Sequence, residues 1–164
     1  MGVIIPQEVP ERTGSLYPQP FAGQMAGRRI LALGDAGGLT QFGANLVILE
    51  PGARSSLRHW HLHEDEFVVV LEGTPTLVQD EGEIEMRAGD CAAFPAGDTN
   101  GHCFINRSSG EARFLVVGSR APRETVTYSD VDMMAELQSG GRGGATFTHK
   151  DGRPYTRPDQ GEPK

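Results

Sequence analysis

The chain has 164 residues, room for one domain that buries its own core without disulfide or zinc support. A net charge of -7 with no clustering of basic residues repels phosphate backbones and anionic lipid, which argues against nucleic acid or a membrane surface as partner. The 22 glycines and 11 prolines, about a fifth of the chain where average usage puts the pair near 12%, favour tight turns between short strands.

Met1 to Pro10 lacks a charged start followed by an apolar stretch, and no apolar run is long enough to span a bilayer, so a cytoplasmic protein is expected. Residues 1–27 are rich in Pro, Gly and polar residues and read as an extended N-terminal arm. Strands are predicted at Arg28 to Leu33 and Phe42 to Ile48, then at Ser55 to His61, Phe67 to Leu71, Thr76 to Gln79, Glu83 to Arg87, Cys91 to Phe94, His102 to Asn106 and Arg113 to Gly118. Turn signals such as Pro51-Gly52, Glu72-Gly73 and Pro95-Ala96-Gly97 separate them. Many short strands with almost no helical period mean an all-β sandwich or barrel over residues 28–120. The runs Phe67 to Leu71 and Phe114 to Val117 are continuously apolar, which predicts a second sheet on one side and the same strands of a partner subunit, in a homodimer, on the other.

The C-terminal tail, residues 121–164, changes character. Ser129 and Asp132 form a capping pair that predicts a short helix through Leu137, followed by a flexible link at Gly140 to Gly144 and a hairpin around Asp151-Gly152. Pro158 to Lys164 are expected to be disordered.

Three of the five histidines fall in His59-Trp60-His61-Leu62-His63-Glu64-Asp65-Glu66. Residues two apart on a strand share a face and lie about 6.6 Å apart along it, so His59 and His61 can aim at one ion with Trp60 turned away. Glu66, opening the next strand, supplies a carboxylate, and His102, opening a later one, a third imidazole. Three histidines and a carboxylate suit one divalent transition metal, Zn, Fe, Mn, Ni or Co, with coordination positions left open. His63 and Asp65 compete for ligand roles but fall where the strand turns, and read as supporting or solvated groups. Phe104 and Asn106 share a face with His102 and are candidates for the cavity wall, although an Asn at a turn also satisfies backbone groups. Cys91 and Cys103 read as unpaired thiols, Arg58 points outward on alternation, and His149 with Tyr155 lies on the tail hairpin.

Gly52, His59, His61, Glu66 and Gly73 resemble the first cupin motif, and Gly89, Pro95, Gly97, His102 and Asn106 resemble the second, in the same order. The loops before His59 and His102 are longer than the usual pattern, a change that strand positions tolerate. The resemblance spans residues 40–120 and implies a double-stranded β-helix, or jelly-roll, barrel holding the four ligands. Wording such as Arg-His-Trp-His is similar to small bacterial cupins, some labelled sugar-phosphate isomerases. A metal-dependent enzyme acting on a small, oxygen-chelating polar molecule is therefore expected, an isomerase or a dioxygenase, with a non-catalytic module that binds or senses a small molecule or metal as the alternative.

Overall fold

The computed structural model describes residues 2–138 and 144–155. In chain order the strands are β1 (Glu11–Arg12), β2 (Arg28–Leu31), β3 (Phe42–Leu49), β4 (His59–His61), β5 (Glu66–Glu72), β6 (Thr76–Gln79), β7 (Gly82–Glu85), β8 (Cys91–Phe94), β9 (Cys103–Ile105), β10 (Ala112–Ser119), β11 (Arg123–Tyr128), β12 (Met134–Gln138) and β13 (Ala145–Thr148). A one-turn helix, α1 (Leu33–Ala36), follows β2.

One layer is a six-stranded sheet in the order β1-β2-β3-β10-β5-β8. The facing layer is built from β13-β12-β11-β4 and β7-β6-β9. These two join through a bridge between His59 and His102, whose backbones exchange hydrogen bonds of 3.1 and 2.8 Å. All the pairings are antiparallel, and strands distant in sequence lie side by side, as in a jelly roll.

Alternation explains what lies between the layers. Val47 and Leu49 of β3, Val68 and Val70 of β5, Phe114 of β10 and Phe104 of β9 are buried together with Phe94, Leu77 and Met86 in the main core. A second core of Met25, Leu57, Val126, Tyr128, Met133 and Ala135 is capped by Tyr17 and Phe21, so the N-terminal arm covers the inner face of the β4-β11-β12 sheet. Gly73, between β5 and β6, has φ of +76°, and a β-carbon there would lie 2.5 Å from the Glu111 carbonyl oxygen. Only glycine fits that turn.

Three sequence expectations change. The helix through Leu137 is instead a turn followed by β12, which pairs with β11 and β13. Val131, Met133, Ala135 and Leu137 alternate at period 2 and pack against the second core, and that burial outweighs the helix propensity of Met, Ala, Glu and Leu. The strand expected from Ser55 starts only at His59. The tail hairpin is reduced to β13 and a bridge from Thr148 to Pro154; Thr156, the link at 140–143 and the segment 158–164 lie outside the described residues. On β5 the outward residues Phe67 and Leu71 are 44% and 53% exposed, so a single chain leaves that face of the sheet open.

Candidate metal centre

His59 and His61 sit on β4 at the same parity and face into the barrel, opposite Tyr128 and Val126 of β11. Their Nε2 atoms are 3.2 Å apart. His59 Nδ1 lies 2.9 Å from the Leu57 carbonyl oxygen, which can only accept, so Nδ1 carries the proton and Nε2 keeps its lone pair. Burial, reinforced by the neighbouring His102 and His61, pushes the His59 pKa down to about 3, and burial also lowers that of His61. Both rings are thus neutral at pH 7, the state in which imidazole binds metal.

Glu66 opens β5 on the facing layer. Its Oε2 is 3.7 Å from His61 Nε2, and its Oε1 is 3.2 Å from His102 Nε2. Burial alone would raise its pKa, but the hydrogen bond from His102 and the three surrounding imidazoles bring it below the ordinary carboxylate value. His59, His61 and Glu66 each offer a ligand atom, all within 4.8 Å of one another, a group able to hold a metal ion. His102 is 2% exposed, bonded to Glu66, and stacked on Phe94 with ring centroids 3.6 Å apart and planes at 7°. Phe94 is the β8 residue directly opposite Glu66, so the sheet that presents the carboxylate also braces the imidazole.

The donor chemistry passes a direct test of fit. Two imidazoles and one carboxylate converge from the two layers, and two nitrogens 3.2 Å apart match two ligands that each lie about 2.1 Å from a shared ion.

The model of the cupin domain matches residues 45–118. Among solved structures, a sugar phosphate isomerase from a cupin superfamily, of Silicibacter pomeroyi, is 55% identical over 97% of this chain and 99% of its own, with a TM-score of 0.90. The chain belongs to the cupin superfamily. A protein of Acidithiobacillus ferrooxidans, provisionally named a sugar phosphate isomerase, is 28% identical over 79% of this cupin and 81% of its own chain, with a TM-score of 0.69. The polyketide cyclase RemF of Streptomyces resistomycificus, at 24% identity over 73% of this chain and 79% of its own and a TM-score of 0.60, shares the fold. No curated protein matches the chain.

Other sequence candidates lie elsewhere in this cupin. Phe104 is not a cavity wall: it is 2% exposed and packs on Phe94 and Phe114 in the core. Asn106, fully buried, donates through Nδ2 to the Leu49 and Gly110 carbonyls and accepts from Ser108, so it locks a turn. Asp65 accepts from the Ala96 N–H, and the side chain of His63 is exposed beyond the strand end. Arg58 faces outward to Asp130 and Asp80. His149 bonds Asp132 and stacks on Tyr155 at 4.1 Å, apart from the barrel's histidines.

Two features escaped sequence reasoning. Glu124 on β11 is 0% exposed; its carboxylate accepts from the Leu62 and His63 N–H groups at 2.7 and 3.0 Å and lies 4.0 Å from His61 Nδ1. It braces the end of the histidine strand. The available signal was parity, since Glu124 shares its face with Val126 and Tyr128. The second is a cavity of about 450 Å3 beside Glu66, lined among others by Asn45, Glu64, Gly118 and Arg120. Glu64 accepts from the Ala121 N–H at 2.7 Å, and burial raises its pKa.

Proposed function

We propose that this protein is a metal-dependent enzyme that binds one divalent transition ion through His59, His61, Glu66 and His102 and acts on a small polar molecule that chelates through oxygen, an isomerase of the sugar-phosphate type. The observation that carries this reading is the convergence of His59, His61 and Glu66 from opposite layers, with His102 3.2 Å from Glu66, at the edge of a polar cavity. The name carried by the relative at 55% identity supports the substrate class. A bound ion would supply Lewis acidity and open positions for substrate oxygen.

The chain's own residues account for the rest. The Leu57 carbonyl fixes the His59 tautomer, Phe94 holds the His102 ring, and Glu124 braces the chain that follows His61. Glu64 is the carboxylate that lines the cavity beside Glu66 and is placed to exchange a proton with substrate. Dioxygen chemistry on the same ligand set is the second reading within the enzyme class, and a non-catalytic binding or sensing module is the alternative outside it. A homodimer in the cytoplasm completes the proposal. Its support is the open apolar face at Phe67 and Leu71 and the two free thiols.

The test is steady-state turnover of a panel of aldose and ketose phosphates, diketones and thiols, with Fe(II), Mn(II), Ni(II), Co(II) or Zn(II) added, followed by NMR. Interconversion of a sugar phosphate supports the proposal. Oxygen consumption with a diketone or thiol supports the second reading, and tight binding without turnover across the panel refutes enzymatic function.

A further inference from the structure

The cavity beside Glu66 exists because side chains are missing from one row of the six-stranded sheet. Across β8, β5, β10 and β3 the residues in register are Phe94, Glu66, Gly118 and Gly43, all at the inward parity. The next row reads Ala92, Val68, Val116 and Asn45, and the one after it brings Val70, Phe114 and Val47 of the packed core. The row that begins at the candidate metal carboxylate therefore ends on two glycines, which leave a floor without side chains.

What stands over the far end of that floor is cationic. A β-carbon on Gly43 would lie 3.8 Å from Arg120 Nε, Arg120 Nη2 and Asn45 Nδ2 alike. The Arg120 side chain is 12% exposed and fixed: Nη1 donates to the Leu39 carbonyl at 2.8 Å, and Nη2 to Asp35 at 2.5 Å. Arg12, from β1 on the arm, reaches the other oxygen of Asp35 at 3.2 Å, so two guanidiniums share one carboxylate at the rim. Among the described residues the Nε–H of Arg120 and the side-chain amide of Asn45 make no hydrogen bond, and both belong to the cavity lining. In a chain of net charge -7, a pinned arginine with a donor to spare over a glycine floor is a built anion site.

We propose that the Arg120 end of the cavity, with Asn45 beside it and Gly43 and Gly118 beneath, binds an oxyanion of the ligand, a phosphate ester or a carboxylate, while the opposite end at Glu66 takes its chelating oxygens. This deepens the proposed function and rests on it for the chelating end only. Asp35 holds the guanidinium in place before the ligand arrives, which lowers the ordering cost of binding.

The experiment titrates inorganic phosphate, and separately acetate, into 15N-labelled full-length protein with Zn(II) added. It uses wild type, Arg120→Gln, and the His59→Ala, His61→Ala double variant. The proposal expects the Gly43 and Gly118 amide resonances to shift in wild type, phosphate affinity to fall at least tenfold in Arg120→Gln, and Arg120-dependent binding to persist in the double variant. Tighter phosphate than acetate assigns a phosphate ester, and the reverse order a carboxylate; both support the subsite. Binding that survives Arg120→Gln but vanishes in the double variant overturns the subsite and leaves the metal reading standing. Arg120-dependent binding in a protein that takes up no metal does the opposite. Should Arg120→Gln fail to fold, Gly43→Ala serves instead, because its new methyl meets only ordinary 3.8 Å contacts; unchanged affinity in that variant, together with unshifted Gly43 and Gly118 signals in wild type, also refutes the proposal.

Discussion

Replacing Glu124 by alanine removes the carboxylate that accepts from the Leu62 and His63 N–H groups at 2.7 and 3.0 Å; the Leu62 N–H keeps the Thr125 carbonyl at 3.0 Å, and the His63 N–H loses its acceptor. Hydrogen bonds to a charged partner are worth about 1.5–3 kcal/mol each, and the site is 0% exposed. The retained Thr125 carbonyl and partial replacement by water in the new hole offset some of that, so Glu124→Ala should lose about 2–4 kcal/mol of folding stability. Glu124→Gln keeps one acceptor oxygen but sets an amide NH2 against the other N–H, and should lose about 1–2 kcal/mol. Urea unfolding of chelator-treated protein, read through the single Trp60 on the adjacent strand, measures both. Glu124 also anchors the chain that follows His61, so metal affinity of a folded Glu124→Gln protein should drop about 10–100-fold. A Glu124→Ala protein within about 1 kcal/mol of wild type, with unaltered metal affinity, would refute the bracing role.

Thiol labelling of the native protein should modify one cysteine, the exposed Cys91, and two after denaturation, because burial hides Cys103 and pushes its thiol up to about 11; two fast-reacting native thiols would contradict this. Burial raises the phenol pKa of Tyr17, and of Tyr128 with Tyr17 as the second cause. Folding therefore favours their protonated forms, so this stability is fully present below about pH 10 and is lost as pH climbs above it. Absorbance at 295 nm should show these two phenols ionising together with unfolding, and reversible ionisation near pH 10 in a protein that keeps its native circular dichroism would show the reasoning to be wrong. Sedimentation at micromolar concentration should give a dimer that dissociates on Phe67→Glu, where a wild-type monomer would leave the face at Phe67 and Leu71 unexplained.

The parts of the fold legible in the sequence were those where alternation and turn chemistry agree. Thr76–Gln79 and Cys91–Phe94 fall where the pattern puts them, since each is bounded by glycine, proline or acidic turn residues. The histidine constellation was legible for a related reason: two residues at period 2 declare a common face before any partner strand is known. What remained hidden depends on which strands pair. Glu124 reads as a surface charge until β11 is seen beside β4, and Gly118 and Gly43 look like two unrelated glycines until β10 and β3 bring them together. The helix expected from the Ser129 and Asp132 capping pair gives way to the parity of Met133, Ala135 and Leu137, a choice only the second core could decide. Phe104 shares parity with His102, yet the barrel interior is filled at its depth and opens above the glycine row.

The central claim is that side chains from opposite layers of the barrel share one ion. Elemental analysis of protein purified without added metal, alongside the His59→Ala, His61→Ala double variant, tests it directly. The account predicts about one transition metal per chain in the wild type and a sharp fall in the variant, with native circular dichroism retained in both. A folded variant that keeps its full metal content, or a wild type that neither carries a metal nor takes one up when it is supplied, would contradict it.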